Sequence, residues 1–298
     1  MLSQSVYTLV NQQNGNLAFK LFEFDNNSYF DHIQRNNYFT LILITSGEGI
    51  ATVDLCDYRF EANTLFAFYP YQPFMLQAKK PLIGISIQFH HDFFCIYRHH
   101  QEIAANGILF NNVYEQPFVK LNDTCNANIL NLIQGIANEL KADAFRKDEA
   151  LVSYLKILLV MLTRIKLEQQ SPQEVKTLNG KQQFVIQNLK NAIEDNFRIK
   201  HSASEYAELL NLTPASLARI TKNHFDKTLS DLITERIIIE AKRELYLTDK
   251  TIKEIAYELG YDDEYYFSRV FKGKTDISPQ FYRNTIGFNR GNLSPVSE

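Results

Sequence analysis

The chain has 298 residues, of which 45% are hydrophobic and 22% are charged, a balance typical of globular proteins and a length sufficient for two domains. Its longest apolar run, Ile157–Leu162, is far too short to span a bilayer, and its first residues lack the basic flank and apolar core of a signal peptide. Three scattered cysteines argue against a disulfide framework or a zinc module and favour a reducing cytoplasm.

The charges are balanced in both halves of the chain. The formal net charge is −3, and residues 182–290 carry 16 Lys and Arg against 16 Asp and Glu. Domains that bind nucleic acids are often basic, so bulk charge gives no support for such a partner. Contacts with phosphate groups would have to come from cations placed together on one face.

Short apolar segments separated by turn-forming residues fill the first 118 residues, which are also rich in Phe and Tyr. This pattern predicts β-strands joined by turns, and such a succession indicates a small barrel or sandwich. The predicted strands are Tyr38–Gly47, Gly49–Leu55, Tyr58–Tyr69 and Pro81–Phe89.

Two helices are predicted next, because apolar residues recur with a period of about 3.6 in residues 126–142 and 148–167. This pair carries more apolar surface than packing on one barrel requires, so we predict a homodimer formed through these helices. The alternative is that the two helices pack only on each other and on the barrel. The polar residues 168–183, which include one Pro and one Gly, predict an interdomain linker.

Helix start signals are frequent in the C-terminal third of the chain. Capping boxes and proline at the first helical position mark where helices begin. The predicted caps are Ser202 with Glu205, Thr213 before Pro214, Thr251 with Glu254, Asp262, and Ser278 before Pro279. They delimit two helix pairs with short turns, joined by one long helix at Leu229–Leu247, and so predict two helix-turn-helix units.

The second helix of each pair has an outer face suited to DNA. Arg can bind guanine with two hydrogen bonds, Ser can contact a base or a phosphate, and Ala can touch a thymine methyl group. If the long helix sets the units about 34 Å apart, both can enter successive major grooves. The predicted DNA-contacting residues are Ala215, Ala218, Arg219, Lys222, Glu264, Tyr265, Ser268, Arg269 and Lys272. Those predicted to face inward are Leu217, Ile220, Phe225, Tyr266, Phe267, Val270 and Phe271. The alternative is that the polar faces are merely solvated.

The segment IKEIAYELGYDDEYYFSRVFKGKTDISPQFYR, at Ile252–Arg283, resembles the signature of the AraC/XylS family of bacterial transcription regulators. The preceding segment IIIEAKRELYLTD is similar to the corresponding family segment. Two departures stand out. Asp226 and Asp276 lie near positions where the family usually has Gly, and Thr221 stands where it usually has a large apolar residue.

The resemblance implies an α+β two-domain protein. Residues 1–167 would form a cupin-like β-barrel sensor and dimerisation domain that ends in the helical pair, and residues 168–183 would form the linker. Residues 184–287 would form an all-α DNA-binding domain with two helix-turn-helix units, and residues 288–298 would form a tail. It also implies a cytoplasmic, homodimeric activator without a cofactor. Such a protein would bind double-stranded DNA, respond to a small-molecule effector and contact RNA polymerase.

The aromatic N-terminal half permits two interpretations. Ligand sites are mostly apolar and aromatic, which would make Phe22, Phe24, His32, Tyr38 and Phe68 an effector pocket. The alternative is that a small barrel fills with its own rings, in a regulator that binds no ligand and whose barrel only dimerises.

A metal-dependent cupin enzyme with an accessory helical domain is the alternative from another class. Catalytic cupins carry a His-x-His pair, which this sequence lacks. The segment HHDFFCIYRHH, at His90–His100, offers imidazole and thiolate groups of the kind that bind zinc or copper. Adjacent residues on a strand point to opposite faces, so we predict a solvated junction there and no metal site.

Overall fold

The chain divides into two compact units in the computed structural model, which describes residues 6–11, 15–54, 56–96, 99, 107–142, 144–169 and 180–286. The N-terminal unit comprises residues 1–112 and 116–171, and the C-terminal unit comprises residues 113–115 and 172–298. The predicted tail, residues 288–298, and much of the predicted linker lie outside the described residues.

The N-terminal unit is built on two antiparallel sheets. The larger sheet has the order β1 (Val6–Val10), β2 (Leu17–Phe24), β8 (Ile83–Phe89), β3 (Phe39–Ser46), β6 (Thr64–Phe68) and β9 (Phe118–Lys120). The smaller sheet has the order β5 (Cys56–Phe60), β4 (Gly49–Val53) and β7 (Phe74–Gln77). The prediction of a β-rich N-terminal half is therefore confirmed.

Strand β3 shows why the larger sheet is apolar on both faces. Ile42 and Ile44 share a core with the inner face of the smaller sheet. Leu41 and Leu43 belong to a second core on the opposite face. Because successive side chains of a strand alternate between faces, a strand covered on both sides must be apolar at nearly every position.

Helices α1 (Asp123–Lys141) and α2 (Lys147–Gln169) cover the outer face of the larger sheet. The apolar stripe of α2 is completely buried within one chain. Its members are Leu151, Leu155, Leu158, Leu159 and Leu162. Helix α1 and the sheet together cover this stripe, and the apolar surface left over lies elsewhere on α2, where Ile157 remains 49% exposed.

The prediction of one strand at Tyr58–Tyr69 is wrong. The segment forms β5 and β6, which lie in different sheets. Between them Asn63 adopts a left-handed backbone conformation with φ of 63°, a conformation that Asn tolerates better than most residues. A continuous run of strand-forming residues concealed this turn.

The C-terminal unit is helical. Its described helices are α3 (Gly180–Asn196), α4 (Ala203–Leu209), α5 (Pro214–Phe225), α6 (Leu229–Leu247), α7 (Ile252–Glu258), α8 (Glu264–Thr275) and α9 (Pro279–Ile286). Helix α3 begins inside the predicted linker. None of the described helices is both long enough and apolar enough to pass through a bilayer.

Two helices begin with the predicted capping boxes. The hydroxyls of Ser202 and Thr251 accept the backbone N–H groups of Glu205 and Glu254, and each glutamate accepts the N–H of its cap residue in return. The hydrogen bonds from the Ser202 hydroxyl and backbone lower the pKa of Glu205. Those from the Thr251 backbone and hydroxyl lower the pKa of Glu254. Both boxes therefore favour the ionised carboxylates.

Helix α8 begins one residue later than predicted. Its cap is Asp263, whose carboxylate accepts the backbone N–H of Tyr265 at 2.7 Å, and not Asp262. Thr213 caps α5 as predicted. The hydroxyl of Ser278 accepts a backbone N–H in the first turn of α9.

The two aspartates that lie near positions where the resembled family usually has glycine are the C-cap residues of α5 and α8, and both adopt a left-handed backbone conformation. Asp226 after α5 has φ of 54°, and Asp276 after α8 has φ of 63°. The turns therefore keep the backbone that glycine would adopt. Thr221, the other departure, is fully buried, and its hydroxyl donates to the carbonyl of Leu217 at 2.8 Å. The polar group thus has a partner inside the first helix pair.

A segment of only three residues, Val113–Glu115, belongs to the C-terminal unit although it lies far from the rest of that unit in sequence. The hydroxyl of Tyr114 donates to a carboxylate oxygen of Glu194 at 2.8 Å. Glu115 forms an ion pair with Lys190 at 2.9 Å. Both contacts bind this segment to helix α3.

Candidate nucleic-acid interface

Two helix pairs, α4 with α5 and α7 with α8, pack against the single long helix α6. In a helix-turn-helix the second helix of the pair is the recognition helix, so we call α5 the first recognition helix and α8 the second. Because α6 contacts α5, α7 and α8, one continuous helix supports both recognition helices.

A buried carboxylate fixes the middle of α6. Glu240 accepts hydrogen bonds from Arg198, Arg236 and Arg243. Burial by itself would raise the pKa of Glu240, but the hydrogen bond and charge of Arg243 and the charges of Arg236 and Arg198 outweigh it and lower this pKa below its ordinary value. The carboxylate therefore stays ionised and holds α6 to the segment before α4.

A second group of charges ties both recognition helices to the start of α6. Lys227, just after α5, pairs with Glu235 of α6 at 2.8 Å. Lys274 of α8 pairs with Asp231 of α6 at 3.1 Å. The Lys274 nitrogen also lies 3.9 Å from Glu235. These four side chains link the ends of α5 and α8 through α6.

The second recognition helix presents the predicted outer face. Tyr265, Arg269 and Lys272 are exposed, and Glu264 and Ser268 are half-buried. The opposite side is buried at Phe267 and Phe271, as predicted, while Val270 is half-buried. The orientation of these residues matches the prediction, and their contact with DNA stays a prediction.

The first recognition helix has the same orientation with a smaller outer face. Ala215, Ala218, Arg219 and Lys222 are all exposed. Leu217 and Phe225 are buried as predicted, and Ile220 is half-buried. Lys222 pairs with Asp226 at 2.9 Å, so part of its charge is already engaged within the helix end.

Three cations on the outer faces of the recognition helices remain available for contacts outside the chain. Arg219, Arg269 and Lys272 form no ion pair and no side-chain hydrogen bond within the described part of the chain. By contrast, Arg198, Arg236, Arg243 and Arg283 are all bonded to carboxylates or backbone carbonyls. The unit thus uses most of its arginines internally and leaves these three cations for an external anion.

Tyr266 does not face inward as predicted but is 53% exposed. On α8 the buried positions are Phe267 and Phe271, four residues apart. Tyr266 precedes Phe267 by one residue, which turns its side chain about 100° around the helix axis. Its ring lies 5.9 Å from that of Tyr261, beside an open cavity of about 570 Å³ that is lined by α6, the α7–α8 turn and α8.

The five predicted pocket residues do not form one group. Phe22, Phe24 and Phe68 share the core between the two sheets. Tyr38 lies apart from it, with its ring 5.7 Å from that of His90. His32 is exposed, and its ring nitrogen lies 3.0 Å from the Asp31 carboxylate. Their role in binding an effector stays a prediction.

The prediction of a solvated junction in the segment that begins at His90, directly after strand β8, is wrong. His90 and His91 are both buried, and Nδ1 of His90 lies 3.3 Å from the Asp92 carboxylate. The ring of His91 packs edge-on against Phe39. Strand β8 lies inside the larger sheet, so its end remains under neighbouring elements. No group of three or more possible metal ligands occurs among the described residues, and His100 lies outside them.

Comparison with known proteins places these helix pairs in a family context. A family model described as a helix-turn-helix domain matches residues 206–285. The raffinose operon transcriptional regulatory protein RafR of Pediococcus pentosaceus is 28% identical over 95 residues, which are 32% of this chain and 34% of that protein. An HTH-type transcriptional regulator encoded in the cgkA 5' region of Pseudoalteromonas carrageenovora is 30% identical over 125 residues, 41% of this chain and 74% of that protein.

Among solved structures, the C-terminal domain of AraT, a response regulator from Geobacillus stearothermophilus, is 28% identical with a TM-score of 0.35. The match covers 38% of this chain and 93% of that domain. Of the two sequence relatives, the match spans about a third of RafR and about three quarters of the Pseudoalteromonas protein. The residues matched by the family model, 206–285, lie within the C-terminal unit.

Proposed function

This chain belongs to the AraC/XylS family of bacterial transcription regulators, and from that premise we propose that it is a sequence-specific DNA-binding regulator of transcription. The observation that carries the proposal is the set of exposed, unpaired cations Arg219, Arg269 and Lys272 on the two recognition helices. In a unit whose charges cancel overall, these few side chains supply a phosphate-binding and base-reading surface.

Each recognition helix contributes differently to this surface. Arg269 is the base-reading residue, because an unpaired guanidinium on the outer face can bind guanine through two hydrogen bonds. Ser268, Tyr265, Glu264 and Lys272 contact neighbouring bases or phosphates. In the first recognition helix Arg219 has the corresponding role, with Lys222 on a phosphate and with Ala215 and Ala218 against bases, so that helix discriminates less.

The protein acts as a homodimer through α1 and α2. This is supported by the exposed Ile157 of α2, which has Tyr154 and Met161 beside it at the edge of the core, both half-buried. These residues recur at helical spacing, as a helix–helix interface requires. Sedimentation of the full chain tests the oligomeric state, and a monomer at micromolar concentration contradicts it.

The whole regulator is an activator that works in the cytoplasm, contacts RNA polymerase and responds to a small molecule in a cupin-like N-terminal domain. The relatives named above are transcriptional regulators, which supports regulation rather than catalysis. A regulator without an effector is the second candidate, favoured by the core position of Phe22, Phe24 and Phe68, whose rings pack on other rings. A thermal-shift screen of small molecules distinguishes the two candidates, because a bound ligand raises the unfolding temperature.

The decisive experiment is DNA binding by Arg269→Ala. On a duplex that the wild-type protein selects from a randomised pool, we expect a loss of about 1–3 kcal/mol and a relaxed preference at one base. Arg164→Ala, an exposed arginine on α2, is the matched control and should bind like the wild type. An equal loss on selected and random DNA contradicts base reading, and a wild-type protein that selects no sequence overturns the proposed function.

A further inference from the structure

A row of aromatic rings leads to the exposed guanidinium of Arg269. The ring of His201 lies 5.0 Å from that of Tyr261, and the ring of Tyr261 lies 5.9 Å from that of Tyr266. The guanidinium carbon of Arg269 then lies 5.8 Å from the centre of the Tyr266 ring. The row runs along the wall of the cavity between α6 and α8, from the protein interior to the outer face.

The inner end of this row is fixed. Tyr261 is only 8% exposed, and its ring also packs against Phe267 at 5.3 Å. It follows Gly260, whose left-handed backbone lies so close to the carbonyl of Arg198 that a methyl group would not fit. Tyr261 is therefore a rigid platform against which Tyr266 rests.

The outer end is otherwise unrestrained. Within the described part of the chain Arg269 makes no ion pair and no side-chain hydrogen bond, and its guanidinium lies against the ring of Tyr266. A long side chain that must be ordered on binding loses conformational entropy, and restraint before binding reduces that loss. An aromatic face attracts a guanidinium and so provides such a restraint.

We propose that Tyr266 is a positioning residue that orders Arg269 for base recognition in the second helix-turn-helix unit. The proposal rests on the proposed function, since it assigns a further residue to the same DNA-binding surface. Tyr266 acts through its ring, which rests against the fixed Tyr261 and holds the Arg269 guanidinium at the outer face.

The first helix-turn-helix unit provides an internal comparison. Alignment of the two units matches Arg219 with Arg269, which places Ser216 where the second unit has Tyr266. Ser216 has no ring, and no cation–ring contact is recorded for Arg219 in the described structure. In the described part of the chain the Arg269 guanidinium has a ring contact and that of Arg219 has none, so we expect the second unit to discriminate bases more sharply than the first.

The test is a comparison of Tyr266→Ala and Tyr266→Phe with the wild type on duplexes carrying each of the four bases at the position that Arg269 reads. A cation–ring contact at an exposed site corresponds to about a two- to fivefold change in Kd. We expect Tyr266→Ala to lose that factor on the preferred base alone, and Tyr266→Phe, which keeps the ring, to bind like the wild type. NMR relaxation of the Arg269 Nε–H group should show greater mobility in Tyr266→Ala.

Tyr257→Ala is the matched control. Tyr257 is 51% exposed on α7, and Lys253 lies over its ring at 5.7 Å, so the same substitution removes a similar contact away from the recognition helices. It should leave base preference unchanged. Thermal unfolding of all variants identifies any loss of folding, which the exposure of Tyr266 argues against.

Each of the other outcomes overturns a defined part of the argument. A Tyr266→Ala protein that binds all four duplexes like the wild type, or loses affinity equally on all four, overturns positioning. So does a Tyr266→Phe protein as impaired as Tyr266→Ala, or a further loss when Tyr266→Ala is added to Arg269→Ala. If Arg269→Ala alone leaves base preference intact, the base-reading role fails first and the positioning role with it.

Discussion

Replacement of Glu240 by glutamine tests how far the buried charges of α6 stabilise the C-terminal unit. Glutamine has nearly the same shape but no charge, and it cannot accept the set of hydrogen bonds that three arginines now donate. The substitution therefore leaves Arg198, Arg236 and Arg243 close together without their common counterion.

The expected loss follows from the burial of these groups. Breaking a fully buried ion pair costs about 3–5 kcal/mol. Here the Glu240 side chain is 7% exposed, whereas Arg236, Arg243 and Arg198 are 17%, 35% and 42% exposed, so water can partly solvate two of the three guanidinium groups. We therefore expect a loss of about 2–3 kcal/mol, which lowers the unfolding temperature of a unit of this size by about 10 °C.

The same change has a defined pH dependence. The pKa of Glu240 is lower in the folded protein than its ordinary value of 4.5. A carboxyl group with a lowered folded pKa contributes its full stabilisation above the unfolded pKa and loses it as the pH falls through the folded pKa. The wild type should therefore exceed Glu240→Gln in stability by a constant amount near neutral pH, and the difference should shrink below pH 4.5.

Thermal unfolding followed by circular dichroism measures both effects on the full chain. Glu208→Gln, an exposed glutamate of α4, is the matched control and should change stability by less than about 0.5 kcal/mol. An unfolding temperature of Glu240→Gln equal to that of the wild type at neutral pH, or a difference that grows in acid, refutes the reasoning.

Three backbone positions yield two further predictions, both measurable by urea unfolding. Gly260→Ala should destabilise the protein by about 2 kcal/mol or more, because Gly260 has a φ of +81° and the added carbon would lie 2.3 Å from the Arg198 carbonyl oxygen. Gly273→Ala in α8 should instead stabilise the protein by about 0.5–1 kcal/mol, because the space around Gly273 is open. Equal effects of the two substitutions on stability would contradict this reasoning. Asp276→Ala should cost about 1 kcal/mol, because residues other than Gly, Asn and Asp are strained in the left-handed conformation that Asp276 adopts. Asp276→Gly should remain near the wild type, and an alanine variant at least as stable as the glycine variant would argue against strain at this turn.

Local signals in the sequence were sufficient to predict the C-terminal helices. The capping boxes at Ser202 and Thr251 involve partners only three residues away, so the pattern of residues contains the whole interaction. The outer faces of α5 and α8 follow from helical periodicity in the same way. The inward orientation predicted for Tyr266 was wrong because this residue lies between the buried and exposed faces of α8, where periodicity alone does not determine burial. In the structure its ring lies beside the ring of Tyr261.

Contacts between distant residues could not be predicted. Glu240 accepts a hydrogen bond from Arg198, which lies 42 residues away in the sequence. No local sequence pattern around either residue predicts this contact. Strand β6 pairs with β9, where Thr64 faces Lys120, and this pairing depends on how the whole sheet assembles. The turn at Asn63 was missed for a related reason: strand propensity describes each residue alone, whereas the change of sheet depends on both cores.

The segment Val113–Glu115 means that the helical unit is not one continuous stretch of polypeptide. The backbone passes between the two units three times, at residues 112–113, 115–116 and 171–172. A fragment that begins at Pro172 would omit Tyr114 and Glu115, and with them the hydroxyl that donates to Glu194 and the carboxylate that pairs with Lys190. The DNA-binding half of this regulator is thus completed by residues that are translated long before it.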